Sequence, residues 1–113
     1  MRAGVKVLVV GTGSIGRRHI SNLMRLGIDV QAYSYRAVNN TLTVSHQEVR
    51  LVKDLRDALE ADFDALVIAN STDLHMDIAL KAAQARKHFF IEKPISVSLA
   101  GTEELLMLVE RNK

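Results

Sequence analysis

Short apolar runs alternate with stretches of helical period along this chain. Val-Lys-Val-Leu-Val-Val at 5–10 and Ala-Leu-Val-Ile-Ala at 65–69 read as buried strands, and the short apolar run His-Phe-Phe-Ile at 88–91 as a further strand. Behind the first run the spacing changes. Gly16, Ile20, Leu23 and Gly27 fall at i, i+4, i+7 and i+11, which predicts a helix over 14–26 with Gly27 in a left-handed cap. Leu74, Ile78, Ala82 and Ala85 predict a second helix over 74–85. A last helix over 99–111 is predicted with Ser98 as its cap and Leu99, Thr102, Leu106 and Val109 on its inner face. Between these, 29–35 has extended character, 50–53 reads as a short strand, and Asp54 caps a short helix carrying Leu55, Ala58 and Leu59. Residues 36–48 show no clear period: Asn39-Asn40 is a turn signal, and 41–44 is either a strand or an irregular connection.

Strands that alternate with helices imply an α/β fold, a Rossmann-type doubly wound parallel sheet with right-handed crossovers. The expectation is about five strands with helices on both faces, forming one domain over 1–113. Composition agrees with this. The hydrophobic fraction of 48% can furnish a core, and with aromatics at 4% that core is aliphatic, as suits strands covered on both faces. The net charge of +2 is small and the Lys and Arg residues are scattered, so no nucleic-acid footprint is expected. There is no Cys, and no two of the four His have metal-ligand spacing with carboxylates, so no metal is expected. The apolar run near the amino terminus is too short for a signal peptide, and no run approaches the ~18 apolar residues of a membrane span. A cytoplasmic location away from membranes is the expectation.

The first strand ends in Gly11-Thr12-Gly13-Ser14-Ile15-Gly16, which fits G-x-G-x-x-G in its required context of strand before and helix after. The first glycine makes a tight turn, the second lets a pyrophosphate approach the backbone, and the third lets the helix pack on the strand. The unpaired N–H groups of the helix start then face the phosphates. At the ribose end the sequence departs from the usual NAD pattern. Where a carboxylate is expected, it reads Ala32-Tyr33-Ser34-Tyr35-Arg36. Ser34 with Arg36 is the chemistry that accommodates a 2′-phosphate, which favours NADP over NAD. The alternative for Arg36 is a solvated loop cation.

Glu92-Lys93-Pro94 follows the run at 88–91. In an open α/β sheet, ligands bind beyond the carboxyl ends of the strands, so a Lys delivered there is placed to touch a substrate. An exposed cation paired with a nearby carboxylate is the other reading of Lys93. The stretch from Gly11 to His19, Asn70-Ser71-Thr72-Asp73-Leu74-His75 and Glu92-Lys93-Pro94 stand in one order and spacing. On these motifs the chain resembles the dinucleotide-binding domain of the glucose-fructose oxidoreductase / inositol dehydrogenase (Gfo/Idh/MocA) family.

The resemblance implies a nicotinamide cofactor on the glycine loop, with Asn70, Ser71 and Thr72 near the nicotinamide ribose. It makes Lys93 the catalytic contact to a sugar- or polyol-like hydroxyl or carbonyl, with Glu92 helping to set its geometry. His19 and His75 become hydrogen-bonders beside the cofactor groove. The resemblance further implies a C-terminal substrate and oligomerisation domain that this chain lacks, so that 1–113 would be incomplete as an enzyme on its own. Without that covering domain, exposed apolar surface is expected to drive homo-oligomers. The alternative is a standalone nucleotide-binding or sensing module without catalysis.

Overall fold

The computed structural model describes residues 4–35, 39–93 and 99–112, and only the backbone of Thr72. Arg36, Pro94 and Ser98 lie outside the described residues. In chain order the elements are β1 (Lys6–Val10), α1 (Ser14–Arg25), β2 (Asp29–Tyr33), β3 (Thr41–Val44), β4 (Gln47–Arg50), α2 (Leu55–Glu60), β5 (Ala65–Ile68), α3 (Thr72–Gln84), β6 (His88–Ile91) and α4 (Thr102–Asn112). The main sheet is parallel, in the order β2-β1-β5-β6. Alternation along β1 sorts the core into two layers. Val7 and Val9 pack with Ile20, Val30 and Ala32 on the α1 side, whereas Leu8 and Val10 pack with Leu66, Ile68, Ile78 and Leu105 on the side of α2, α3 and α4.

The register brings all four strand ends to one level, because Val10 stands opposite both Tyr33 and Ile68, and Ile68 opposite Ile91. The turns that follow, at Gly11, Ser34, Ala69 and Glu92, therefore share one edge. Three backbone bonds continue the ladders into it: Gly11 N–H donates to Tyr33 O at 2.8 Å, Ala69 N–H to Val10 O at 2.8 Å and Glu92 N–H to Ile68 O at 3.0 Å.

Three expectations are corrected. Among the described residues the parallel sheet has four strands where about five were expected. The fifth is reduced to one bridge, Leu51 beside Ala32, with Val52 N–H donating to Ala32 O at 2.8 Å. The residues before it pair with each other instead, β3 against β4 in an antiparallel hairpin. Such local pairing closes a two-residue loop, whereas lengthening the parallel strand is prevented by Asp54, whose carboxylate already accepts from Arg56 N–H at 2.8 Å to start α2.

The last helix is also turned from its expected face. It begins at Thr102, buries Leu105 and Leu108, and leaves Leu106 and Val109 exposed with Leu99 before it. Five consecutive apolar residues, Leu105 to Val109, make the period ambiguous in the sequence. The contact with α3 settles it. Gly101 lies so near α3 that a Cβ there would stand 2.9 Å from Met76 Cγ, and Asn112 Nδ2 donates to Ala83 O at 2.6 Å. Fixed at both ends, α4 can turn only the 105/108/112 stripe inward. Because it is contacted by both sheet and α4, α3 in turn buries a wider stripe than expected, including His75, Met76, Ala79 and Ala83, while Ala85 is exposed.

Candidate functional site

The three loop glycines meet different surroundings. Gly11 has φ +109°, and a Cβ on it would lie 2.6 Å from Ala69 O and 2.7 Å from Asn70 N. A Cβ on Gly16 would lie 1.9 Å from Gly11 O, an overlap with backbone. A Cβ on Gly13 would meet nothing within 4 Å. The protein's own packing thus demands glycine at the first and third positions, while at Gly13 the backbone is bare toward open space.

Gly13 is also the N-cap of α1. It brings no side-chain oxygen to the helix start, and the first turn carries no acidic residue. A helix N-terminus without such partners attracts an external anion through its free N–H groups and its partial positive charge. The loop is braced from outside. Arg17 Nε donates to Thr12 O at 3.0 Å and Arg17 Nη1 to Thr43 O at 3.2 Å, which ties the glycine loop to the hairpin.

A groove of about 350 Å³ opens along the shared edge, lined by Gly11–Gly13, Ser34 and Tyr35, Ala69–Ser71 and Leu74. It joins the glycine loop to the ends of β2 and β5, and its volume falls within the range of ligand clefts, about 300–1,000 Å³. Asn70 is the unusual member. Both its Oδ1 and its Nδ2 are buried and lack a hydrogen-bond partner, a condition that typically costs about 1–3 kcal/mol. Its backbone, by contrast, is held: His75, 2% exposed, donates from Nε2 to Asn70 O at 2.8 Å. A carbonyl only accepts, so Nε2 carries the proton. His75 stands behind the groove rather than on its wall.

Ser14 and Ile15 are exposed at the start of α1, and Thr72 begins α3. Tyr35 and Leu74 form groove walls that the sequence pattern did not single out. The signal available was position: an aromatic two residues past the end of β2 in a chain with few aromatics. Its ring meets Tyr33 edge-on at 5.0 Å. Burial, then Tyr33 and Asp77, push the Tyr35 phenol above its ordinary value, so it stays neutral at physiological pH.

Glu92 and Lys93 lie one strand further along the same edge and do not line this groove. Lys93 is exposed. Glu92 is half-buried and its Oε1 accepts from His19 Nε2 at 2.6 Å, a contact between α1 and the end of β6. Among the described residues there is no cluster of metal-ligating side chains, and no helix is long and apolar enough to cross a membrane.

A parallel sheet whose glycine turn and asparagine turn share one groove defines a dinucleotide-binding α/β domain. The sequence matches the Gfo/Idh/MocA family, described as an oxidoreductase family with an NAD-binding Rossmann fold, over residues 5–113. The chain belongs to this family, as a nicotinamide-dinucleotide-binding domain of the oxidoreductase type. It is 35% identical over 112 residues to YrbE, an uncharacterized oxidoreductase of Bacillus subtilis, covering 92% of this chain and 32% of YrbE. It is 29% identical over 110 residues to myo-inositol 2-dehydrogenase of Thermotoga maritima, covering 90% of this chain and 32% of that protein. UDP-N-acetylglucosamine 3-dehydrogenase GnnA of Acidithiobacillus ferrooxidans shares the fold, with a TM-score of 0.79 at 20% identity over 98% of this chain and 35% of GnnA. The chain thus spans about a third of the length of the curated relatives it matches.

Proposed function

We propose that this domain holds NADP, in preference to NAD, along the carboxyl edge of its sheet and presents Lys93 to a sugar- or polyol-like substrate. The observation that carries the reading is the bare backbone at Gly13, where a side chain would meet nothing within 4 Å although the flanking glycines are crowded. That opening lies at an uncapped helix start, which suits a pyrophosphate. Thr12, Ser14 and Ile15 complete the phosphate cradle, and Gly11 and Gly16 shape it. The partnerless carboxamide of Asn70 supports a ribose hydroxyl as its missing partner, with Ser71 and Thr72 beside it. His75 serves this contact from behind by fixing the Asn70 backbone.

When bound, the nicotinamide gives or takes the hydride. The residues of the chain position and polarise. Lys93 donates a hydrogen bond to the substrate oxygen, whose charge changes as the carbon gains or loses hydride, and Glu92 sets the lysine's turn. The polyol class of substrate is supported by the relative named for myo-inositol. The preference for NADP rests on Ser34, which lines the groove where a carboxylate would repel a 2′-phosphate, together with Arg36.

Titration with NADPH and with NADH, followed by nicotinamide fluorescence, tests both levels of the proposal. Tighter binding of NADPH is expected. Tighter binding of NADH overturns the cofactor preference, and binding of neither overturns the site.

A further inference from the structure

α1 packs over β1 and β2 through Gly16 and Ile20. Its His19 leaves that packing and reaches the opposite edge of the sheet, where Nε2 donates to Glu92 Oε1 at 2.6 Å across 73 positions of sequence. The same imidazole meets Phe90 edge-on, with ring centroids 5.7 Å apart. Phe90 and Glu92 are two residues apart and so face the same side of β6. The two side chains of the pair are 27% and 29% exposed, which shields the bond from much of the solvent. Glu92 is thus held twice, by its backbone to β5 through Ile68 O and by its carboxylate to α1.

We infer that His19 is a positioning residue which, through Glu92, holds the Lys93 turn in register with the glycine loop. This rests on the dinucleotide reading above and adds to it the link between its two halves. β6 is four residues long and, among the described residues, is joined to the sheet along one edge only. A turn at the end of such a strand moves unless something outside the ladder holds it, and a misplacement of about 1 Å in a reacting group costs on the order of a hundredfold in rate. The bond also has a chemical effect. A Glu beside a Lys is a ready ion-pair partner for it; with its carboxylate turned to His19, Glu92 leaves the ammonium of Lys93 to meet another oxygen.

Two variants separate positioning from packing. His19→Phe keeps a ring against Phe90 but cannot donate, whereas His19→Gln keeps an N–H donor. Amide hydrogen exchange at Glu92 is measured in each, together with acetylation of Lys93 by acetic anhydride, with and without saturating NADH. In the wild type NADH is expected to slow Lys93 acetylation. In His19→Phe, Glu92 exchange accelerates about tenfold, as the loss of a charge-assisted hydrogen bond implies. The protection of Lys93 disappears, while NADH affinity changes by less than about threefold, since the glycine loop is untouched. His19→Gln restores both signals. If His19→Phe leaves exchange and protection as in the wild type, or if both variants lose thermal stability and NADH affinity together with no selective change at 92 and 93, the inference is overturned. Should His19→Phe not fold, Glu92→Ala removes the acceptor from the other side and must give the same two changes. Failure of the wild type to bind either NADPH or NADH would overturn the dinucleotide reading instead, with Glu92 exchange still deciding whether His19 holds the turn; where NADPH binds and NADH does not, NADPH takes its place in the acetylation assay.

Discussion

The crossovers β1–α1–β2 and β5–α3–β6 are one unit built twice, with opposite solutions at the turn between strand and helix. Their ends are alike. In the first, Gly27 N–H donates to Met24 O and Ile28 N–H to Leu23 O, and in the second Arg86 N–H donates to Ala83 O and Lys87 N–H to Ala82 O. Both are Schellman closures with the C′ residue in the left-handed region, at φ 77° for Gly27 and 58° for Arg86. Their beginnings differ. The first turn carries Gly11 and Gly13, so its backbone packs against α1 at one place and lies bare at another. The second turn presents side chains, Asn70 and Ser71, and steadies them through His75. On the proposed reading, one turn offers N–H groups to an anion and the other offers an amide to a hydroxyl. Neighbouring turns on one edge can therefore recognise the unlike parts of a single ligand.

The sharpest break of this comparison comes at Gly16. Gly16→Ala places a methyl 1.9 Å from Gly11 O, and backbone cannot swing aside as a long side chain can. A loss of about 3 kcal/mol or more in unfolding free energy is expected, from thermal and urea denaturation. Gly13→Ser tests the opposite property, because the new side chain has open space and serine is a good N-cap. Stability should hold or rise slightly, while NADPH affinity falls on the order of tenfold or more, about 1.4 kcal/mol, in a fluorescence titration. Equal affinity would mean that the second glycine is not where the phosphates lie.

The alike ends give smaller effects of opposite sign. Gly27→Ala forces a side chain into the left-handed region and should cost about 1 kcal/mol in urea unfolding. Arg86→Gly relieves the same strain and should gain a few tenths to about 1 kcal/mol, provided that no contact of the arginine offsets it. If Gly27→Ala and Arg86→Gly shift stability in the same direction, the two closures are not equivalent.

Most of this pair of units was legible in the sequence. The runs at 5–10, 65–69 and 88–91 became β1, β5 and β6; the first two are apolar because the sheet interior covers them, whereas β6 leaves His88 and Phe90 exposed. Gly27 behaved as its position implied. The hairpin was obscure for a physical reason. Its two-residue turn, Ser45-His46, holds both residues at positive φ, 50° and 66°, without the Gly or Asn that marks such turns. A bond from Ser21 Oγ to Ser45 Oγ at 2.9 Å helps hold it, and that contact comes from a distant helix. The rotation of α4 was undetermined because the apolar run at 105–109 offers more than one face. In the site, the glycine loop could be read from local pattern, whereas Asn70 was singled out only by the family resemblance. The pairing of His19 with Glu92 could not, since neither residue carries a local signal of its partner.

The common level of the strand ends has one more consequence. A ligand seated on that edge touches turns that follow β1, β2 and β5, segments far apart in the chain. It acts as a reversible cross-link among three of the sheet's strands, so opening any one of them requires the ligand to leave first. At a hundredfold excess over its dissociation constant such a ligand adds about 2.7 kcal/mol to the folded state. On the proposed function, the rigidity of this sheet would follow the concentration of a small molecule around it as well as its sequence.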